Sequence, residues 1–280
     1  MARPVALEIR DVLVQFGGVR AVDVEHMAIR RGRIAGLIGQ NGAGKTTLFD
    51  VISGFVPQRR GSVVLDGEHE LTGLSPVQRA HLGLGRSFQA ATLFESLTVA
   101  ESLMVAFHTR MESSGPLSSA LQLPWARREE RAVRVRVDEL IDLMGLGAFH
   151  DKFISELSTG TRRIVDLAGV LALQPSVLLL DEPSSGIAQR EVEQLGALLR
   201  EVREALDCTM VVVEHDIPLV RTLCDELYAM ETGRVIAHGT CDEVLSDDKV
   251  VESYLGGGSR AVERSGAATA PVPVAMGGTL

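Results

Sequence analysis

Lysine is scarce in this chain, and basic residues are outnumbered by acidic ones. Among 280 residues there are three lysines, Lys45, Lys152 and Lys249, so arginine carries nearly all of the positive charge. The formal net charge is -9 at pH 7. Because broad nucleic-acid binding needs a basic surface, this balance argues against a nucleic-acid partner. Each lysine is, for the same reason, a candidate for a specific role.

Long apolar runs are also missing. The longest candidate, 169–180, is interrupted by Gln174-Pro175-Ser176 and falls short of the roughly 18–20 residues that span a bilayer. Glu8 lies where a signal peptide needs apolar residues. We therefore expect a chain that neither spans a membrane nor is exported by such a signal.

Cysteine is rare as well. Cys208, Cys224 and Cys241 are odd in number and show no Cys-x-x-Cys spacing. This pattern argues against structural disulfides or a zinc site and fits a reducing cytosol.

Strands alternate with helices over much of the chain. Apolar and alternating patterns predict strands at 5–15, 21–29, 34–38, 62–65, 177–180, 209–213, 226–230 and 234–237, with helices at 76–81, 190–205 and 218–223. This alternation predicts an α/β fold with a parallel sheet.

A mostly helical stretch at 98–173 interrupts the alternation and is expected to be an insertion on one side. In it, Val133, Val137, Leu140, Ile141 and Met144 share one helical face, and Gly145 ends that helix. Residues 112–124 are predicted to form a loop, and 257–280 a disordered tail.

A glycine-rich loop follows the predicted strand at 34–38. Residues 39–46 read Gly-Gln-Asn-Gly-Ala-Gly-Lys-Thr and match the pattern G-x-x-x-x-G-K-[ST]. Glycines let successive backbone N–H groups converge on phosphate oxygens, and the helix that follows favours anions at its N-terminus. Lys45 is expected to neutralise the β- and γ-phosphates, and the Thr46 hydroxyl to ligate Mg²⁺. The phosphate-binding candidates are Gly39, Asn41, Gly42, Ala43, Gly44, Lys45, Thr46 and Thr47.

Two acids, Asp181 and Glu182, end the apolar strand at 177–180. A phosphate loop alone fits GTPases, kinases, helicases and transporter motors, so this second element narrows the choice. Ligands bind at the carboxyl edge of parallel sheets. There Asp181 could hold Mg²⁺, and Glu182 could polarise an attacking water.

With these motifs in order, residues 4–256 resemble an ABC-type ATPase. The other segments that carry the resemblance are Phe16, Ser87-Phe88-Gln89, Leu157-Ser158-Thr159-Gly160-Thr161, Ser184-Ser185-Gly186-Ile187 and Glu214-His215-Asp216. The resemblance implies a P-loop NTPase fold of the ABC ATPase type. Its parts are a RecA-like parallel-sheet core, an N-terminal antiparallel β subdomain and a helical subdomain inserted at about 90–173.

The resemblance also implies roles for these residues, with ATP and Mg²⁺ as cofactors. Glu182, His215 and Gln89 would be catalytic, and Thr46, Gln89 and Asp181 would be the metal ligands. Phe16 would stack on adenine. Ser158 and Gly160, at the start of a helix that Ser158 or Thr159 could cap, would contact the γ-phosphate bound by a partner subunit.

The signature departs from the family pattern at two positions. Thr159 replaces the usual first glycine, and Thr161 the usual glutamine. A β-branched residue restricts the backbone. A nucleotide-binding regulatory subunit with weak hydrolysis therefore stays open as an alternative.

Three features are similar to the LivG-like ATPase subunits of branched-chain amino acid importers. They are the long interval between Gln89 and Leu157, the segment 93–102, and the C-terminal endings Asp242-Glu243-Val244 and 250–256. Subunits for urea or amide import and for lipopolysaccharide export look similar, so they remain alternatives. Soluble ABC ATPases of DNA repair or translation usually carry a long coiled coil or two tandem cores, and the sequence shows neither.

This resemblance implies an ATPase at the cytoplasmic face of the membrane. It would dock on separate transmembrane permease subunits and pair with a second ABC ATPase subunit, like or unlike. An extracytoplasmic solute-binding protein would be an indirect partner.

Overall fold

Two β-sheets flanked by helices form the architecture of this computed structural model, which describes residues 3–87, 93–109, 124–187 and 189–254. The strands are β1 (Val5–Phe16), β2 (Val19–Arg30), β3 (Ile34–Ile38), β4 (Arg60–Leu65), β5 (His69–Glu70), β6 (Leu84–Ser87), β7 (Val177–Asp181), β8 (Thr209–Val213), β9 (Glu226–Glu231) and β10 (Arg234–Gly239). The helices are α1 (Lys45–Ser53), α2 (Pro76–His81), α3 (Val99–Thr109), α4 (Pro124–Leu143), α5 (Thr159–Leu171), α6 (Gln189–Leu206), α7 (Ile217–Leu223), α8 (Cys241–Leu245) and α9 (248–254). Short 3-10 turns at Gly147–Phe149 and Ile154–Glu156 precede α5.

The smaller sheet is antiparallel, in the order β2-β1-β4-β5. β1 and β2 form a long hairpin that pairs Val5 with Arg30 and Phe16 with Val19. The turn between them uses Gly17 at φ 56°, where a residue with a side chain would be strained. The inner face of this hairpin packs with β3 and α1 in one apolar cluster. The antiparallel sheet therefore covers one face of the larger sheet.

The larger sheet has the order β10-β9-β3-β8-β7-β6, and its strands are parallel except for β10. All residues of β3, β7 and β8 are buried. The two faces of β7 contribute to different clusters: Leu178 and Leu180 to one, Val177 and Leu179 to the other. Burial on both faces explains why these strands are continuous apolar runs. Their parallel register brings the carboxyl ends of β3 and β7 to the same edge of the sheet.

The helices α3, α4 and α5 pack together beside this core. Val133, Val137, Leu140, Ile141 and Met144 are all buried in the cluster that α3 and α5 share, which confirms the predicted apolar face. The α4 helix ends at Leu143, and Gly145 follows at φ 64°. The helix begins at Pro124, so the last residue of the loop predicted at 112–124 is helical.

The sheets and helices confirm the predicted α/β fold class, and the predicted strands all occur within a few residues of their bounds. The strands β5 and β6 were not predicted. The four residues of β6, Leu-Gly-Arg-Ser, carry only one large apolar side chain, and their pairing with β7 defines the strand. Expectations for Gln89, for all but the last residue of the loop at 112–124 and for the tail at 257–280 lie outside the described residues.

Within the described ranges, no helix is both long enough and apolar enough to traverse a bilayer.

One acid on α5 is in an unfavourable environment. Burial raises the pKa of Asp166 to about 6 from its ordinary 3.8, and the nearby charge of Arg163 only partly opposes the shift. The folded chain therefore takes up a proton at a pH where the unfolded chain does not. Stability should fall as the pH rises between these two values, because the carboxylate form is the disfavoured one in the fold.

Replacing Phe49 by alanine should destabilise the fold strongly. Its side chain is fully buried, with 0% exposure, and a Phe→Ala cavity in a core costs about 3–5 kcal/mol. Chemical denaturation measures the loss. The matched control is Phe94→Ala, since Phe94 is 66% exposed. Equal losses in the two variants would contradict the packing described above.

Replacing Asp166 by asparagine should stabilise the chain at neutral pH. Since the side chain is only half-buried, we expect a gain of about 1 kcal/mol near pH 7.5 and almost none near pH 4, where the native carboxyl is already protonated. Urea titrations at both pH values measure this difference. Asp142→Asn, on an exposed residue of α4, is the control. A gain that does not depend on pH would show another cause.

Candidate functional site

The phosphate loop spans the gap between β3 and α1, where its glycines allow a close approach of backbone. A Cβ at Gly39 would lie 2.4 Å from the carbonyl oxygen of Met230, and one at Gly44 would lie 2.4 Å from that of Ala21. Gly44 also has φ 101°, which a side chain disfavours. The loop thus lies between the start of β2 and the end of β9, and only glycine fits at positions 39 and 44.

Lys45 is the first residue of α1 and lies folded over this loop. Its Nζ donates hydrogen bonds to the carbonyl oxygens of Gly39 (2.7 Å) and Gln40 (3.0 Å). Burial lowers the pKa of Lys45, while the charges of Glu182 and Asp181 raise it. The N-cap residue, Gly44, offers no side-chain cap to α1, so the first-turn N–H groups are suited to an anion.

Thr46 and Thr47 follow Lys45 in the first turn of α1, and Thr46 is exposed. Ala43 is buried, and its carbonyl accepts a hydrogen bond from the N–H of Gly233 at 2.8 Å. Asn41 and Gly42 are exposed at the top of the loop. The predicted phosphate-binding residues are therefore contiguous, with the open side of the loop facing solvent.

Asp181 ends β7 at the same edge of the sheet and is only 5% exposed. Burial is the main reason that its pKa is raised, with the nearby Arg86 guanidinium lowering it in part. Its Oδ1 atom is buried without a hydrogen-bond partner in the described part of the chain. A buried, unsatisfied carboxylate oxygen fits a hard cation such as Mg²⁺.

The described residues contain no cluster of three or more His, Cys, Asp or Glu that could hold a metal ion by themselves. Mg²⁺ does not need such a cluster, because it is usually bound through one or two carboxylates together with substrate phosphates. Asp181 and the Thr46 hydroxyl are suitable protein oxygens. Gln89, the third predicted ligand, lies outside the described residues.

Arg86 is a charged residue of this site that sequence reasoning missed. Its guanidinium is within 2.7 Å of Asp50 on α1 and 3.5 Å of Asp181 on β7, and its side chain is only 8% exposed. It therefore ties the helix after the phosphate loop to the strand that carries the acid pair. No local pattern distinguishes it from the many other arginines of the chain.

Glu182 and His215 form a pair next to Asp181. The His215 Nε2 and Glu182 Oε1 atoms are 3.1 Å apart. The backbone of Glu182 has φ 50°, a costly conformation for a residue with a side chain and one that is common at functional sites. The ends of β7 and β8 thus bring together Glu182 and His215, two of the residues predicted to be catalytic.

The signature residues begin α5. Ser158 is its N-cap and accepts a hydrogen bond from the N–H of Thr161 at 3.2 Å, so of the two capping residues considered it is Ser158 that caps. The Ser158 and Thr161 hydroxyl oxygens are 2.9 Å apart. Ser158 and Gly160 line a cavity of about 600 Å³ that Asp181 also borders, between α5, α6 and the end of β7.

Phe16 is 55% exposed at the end of β1. It lies at the tip of the hairpin whose second strand, through Ala21, touches the phosphate loop. An exposed aromatic ring at this position is available to stack on a planar base.

The C-terminal stretch also touches the phosphate loop, which the sequence did not predict. The Gln40 side chain donates a hydrogen bond to the carbonyl oxygen of Ser253. Burial raises the pKa of Tyr254, while a hydrogen bond with the backbone of Gly39 lowers it. Val250 is buried in the same cluster as Ile38, the residue that precedes the loop. The α9 stretch therefore braces the loop from behind.

Comparison with known families supports this arrangement. The ABC transporter family model matches residues 23–185. A second family model, described as a branched-chain amino acid ATP-binding cassette transporter, matches residues 234–259.

Curated relatives match nearly the whole chain. The high-affinity branched-chain amino acid transport ATP-binding protein LivG of Escherichia coli is 34% identical over 256 residues, covering 91% of this chain and 99% of the relative. BraF of Pseudomonas aeruginosa, with a corresponding name, is 32% identical over the same coverage. The lipopolysaccharide export ATP-binding protein LptB of Haemophilus influenzae is 33% identical over 82% of this chain and 88% of its own.

Solved structures agree with the fold. The ADP conformation of MJ1267, an ATP-binding cassette of an ABC transporter, has a TM-score of 0.75 and 29% identity over 90% of this chain and 99% of its own. CbiO1 from Clostridium perfringens, part of an ABC transporter complex, has a TM-score of 0.75 and 28% identity over 93% and 100% of the two chains. The two family models together span the phosphate loop, the acid pair and the C-terminal stretch, and this chain belongs to the ABC transporter family, as an ATP-binding subunit with ATPase activity.

Proposed function

We propose that this chain hydrolyses ATP to power the transport of branched-chain amino acids through separate membrane subunits. The observation that carries the proposal is the placement of buried Lys45 over the glycine-rich loop, 2.7 Å from the Gly39 carbonyl oxygen, at the sheet edge where β7 ends in Asp181. A cation, two acids and an open loop of N–H groups at one sheet edge suit a nucleoside triphosphate. The transported solute is inferred from the names of LivG and BraF and from the second family model.

Binding would use the phosphate loop and the hairpin tip. Lys45 would exchange its two carbonyl partners for phosphate oxygens, which are stronger acceptors because they are charged. Phe16 would stack on the adenine. The remaining phosphate contacts would come from Gly39, Asn41, Gly42, Ala43, Gly44, Thr46 and Thr47.

Magnesium would be held by Thr46, Asp181 and Gln89. When bound it would supply positive charge against the β- and γ-phosphates. Arg86 already neutralises part of the charge on Asp181. The buried carboxylate thus has one oxygen near Arg86 and its other oxygen available for the cation.

Hydrolysis would depend on Glu182. Its carboxylate can orient a water molecule and accept a proton from it as the water attacks the γ-phosphorus. His215, at 3.1 Å from that carboxylate, would hold its orientation and contact the γ-phosphate. Gln89 would complete the catalytic set by contacting the attacking water and the cation.

A complete site would need two ATPase subunits. Ser158 and Gly160 would contact the γ-phosphate bound by the second subunit, since the N-terminus of α5 presents N–H groups and partial positive charge. Such a dimer, of like or unlike subunits, would sit against permease subunits at the cytoplasmic face of the membrane. A solute-binding protein on the other side would be an indirect partner.

One observation favours a second candidate, a subunit with weak hydrolysis and a regulatory role. The Thr161 hydroxyl is 2.9 Å from that of Ser158, so the signature serine already has a partner within its own helix. The steady-state turnover of the chain with and without permease subunits separates a motor from a regulator. If turnover responds to lipid-transporting subunits and not to amino acid permease subunits, a role in lipid export would be indicated.

The variant Glu182→Gln should hydrolyse ATP at least about 100-fold more slowly, because the amide cannot accept the proton of the attacking water. ATP affinity should stay unchanged, and an ATP-bound dimer should accumulate in size-exclusion chromatography. Phosphate release measures the turnover. The control Glu193→Gln makes the same change on an exposed residue of α6. Normal turnover in Glu182→Gln would remove this residue from the proposed role.

The variant Lys45→Ala should bind ATP about 10- to 100-fold more weakly, since a charge-assisted contact to phosphate contributes on the order of 1.5–3 kcal/mol. Isothermal titration calorimetry measures the affinity, and thermal melting shows whether the variant is folded. Lys152→Ala, on an exposed lysine, is the control. Unchanged affinity in Lys45→Ala would argue against the phosphate site.

A further inference from the structure

Glu214 is a buried acid to which neither the motifs nor the comparisons give a role. It lies between the end of β8 and His215 and is only 2% exposed. A buried carboxylate is costly unless hydrogen bonds satisfy it. Its two oxygens accept three such bonds, and two of them come from the loop that follows Glu182.

The first oxygen of Glu214, Oε1, accepts a hydrogen bond from the backbone N–H of Ser184 at 2.8 Å. The second, Oε2, accepts one from the Ser184 hydroxyl at 2.8 Å and one from the N–H of His215 at 3.1 Å. One carboxylate therefore joins the loop of the catalytic base to the backbone of the histidine. Bonds of this kind are short and directional because the acceptor is charged.

Two other contacts run between the same segments. The N–H of Glu182 donates to the carbonyl oxygen of Val213 at 2.9 Å, and the Glu182 carboxylate is 3.1 Å from His215 Nε2. Contacts therefore occur at Glu182 and again at Ser184, two residues further along. Fixing both points determines the path of the loop, which Glu182 enters with its strained φ of 50°.

The loop is also held from the signature helix. Arg163 on α5 donates to the carbonyl oxygen of Glu182 at 3.1 Å and to that of Ser185. Glu214 thus accepts hydrogen bonds from the N–H and hydroxyl of Ser184, while Arg163 donates to the carbonyl oxygens of Glu182 and Ser185. A displacement of α5 would act on this loop through Arg163. Because Glu214 bonds both Ser184 and the N–H of His215, it would couple the loop to His215.

We propose that Glu214 is a positioning residue for hydrolysis, which keeps the Glu182 carboxylate and His215 in register by fixing Ser184. The inference rests on the proposed function of Glu182 and His215. It predicts that Glu214 contributes to turnover and not to ATP binding, because it contacts neither the phosphate loop nor Lys45 among the contacts described.

The test is steady-state hydrolysis and ATP binding by the full-length chain in a graded series. Glu214→Ala removes all three hydrogen bonds and should lower kcat about 30-fold, with the KM for ATP within about twofold of the unmodified chain. Glu214→Gln keeps one carbonyl oxygen to accept the Ser184 N–H and should restore part of the rate, to a loss of about fivefold. Ser184→Ala should lower kcat about threefold.

A double variant tests whether the two residues act together. If they act through the same contact, Ser184→Ala combined with Glu214→Ala should be no slower than Glu214→Ala alone, within about twofold. The control is Glu226→Gln, which makes the same chemical change at the start of β9. Glu226 is also a partly buried acid, and its side chain is hydrogen-bonded to His238. This variant should keep the rate of the unmodified chain.

The outcomes separate this inference from the function on which it rests. No hydrolysis by the unmodified chain, or full activity of Glu182→Gln, would overturn the proposed function. Normal hydrolysis by Glu214→Ala, with Glu182→Gln inactive, would overturn only the positioning role. A parallel loss of ATP affinity and melting temperature would show a purely structural role. If both Glu214 variants fail to fold, an unchanged kcat in Ser184→Ala and Ser184→Gly would overturn the inference.

Discussion

The nucleotide site depends on a balance of buried charge at one edge of the parallel sheet. Lys45 loses hydration on burial and is supported by Asp181 and Glu182, while Asp181 is in turn supported by Arg86. Buried charges persist only when they are paired. The Oδ1 atom of Asp181 is nevertheless unsatisfied among the described residues, and Gly44 gives the first turn of α1 no side-chain cap. The fold thus maintains a site suited to both a cation and an anion, and the proposed magnesium-bound triphosphate would supply the two together.

Side chains, and not strand pairing, link α5 to the loop that follows Glu182 at the carboxyl edge of the larger sheet. Arg163 connects α5 to the carbonyls of the loop after Glu182, and Glu214 connects the same loop to His215. Behind the phosphate loop, Gln40 contacts Ser253 of the C-terminal stretch. Each link joins segments that are far apart in the sequence. A displacement of α5 would therefore reach Glu182 and His215 through these side chains.

Much of this site could be predicted from local sequence. The phosphate loop, the acid pair and the alternation of strands with helices are local patterns, because glycine φ angles, apolar periodicity and helix caps depend on near neighbours. The α/β class followed from them, the ATPase activity followed from the resemblance to an ABC-type ATPase, and both are confirmed. The strand β6 could not be predicted because its four residues gain strand geometry only by pairing with β7. Arg86, which lies in β6, was missed because its partners Asp50 and Asp181 are distant in the sequence and meet it only in the fold.

The sequence by itself determined which groups the chain possesses: an amide-lined loop with its lysine, two acids at a strand end, a histidine after another strand, and a capped helix carrying Ser158. The tertiary structure alone decided which of them meet. Glu182 reaches His215 because β7 and β8 are neighbours in parallel register, and Glu214 reaches Ser184 for that reason as well. Such contacts join residues some thirty positions apart, and their cost in chain entropy is met only by packing of the whole sheet. No pattern in either segment specifies the other.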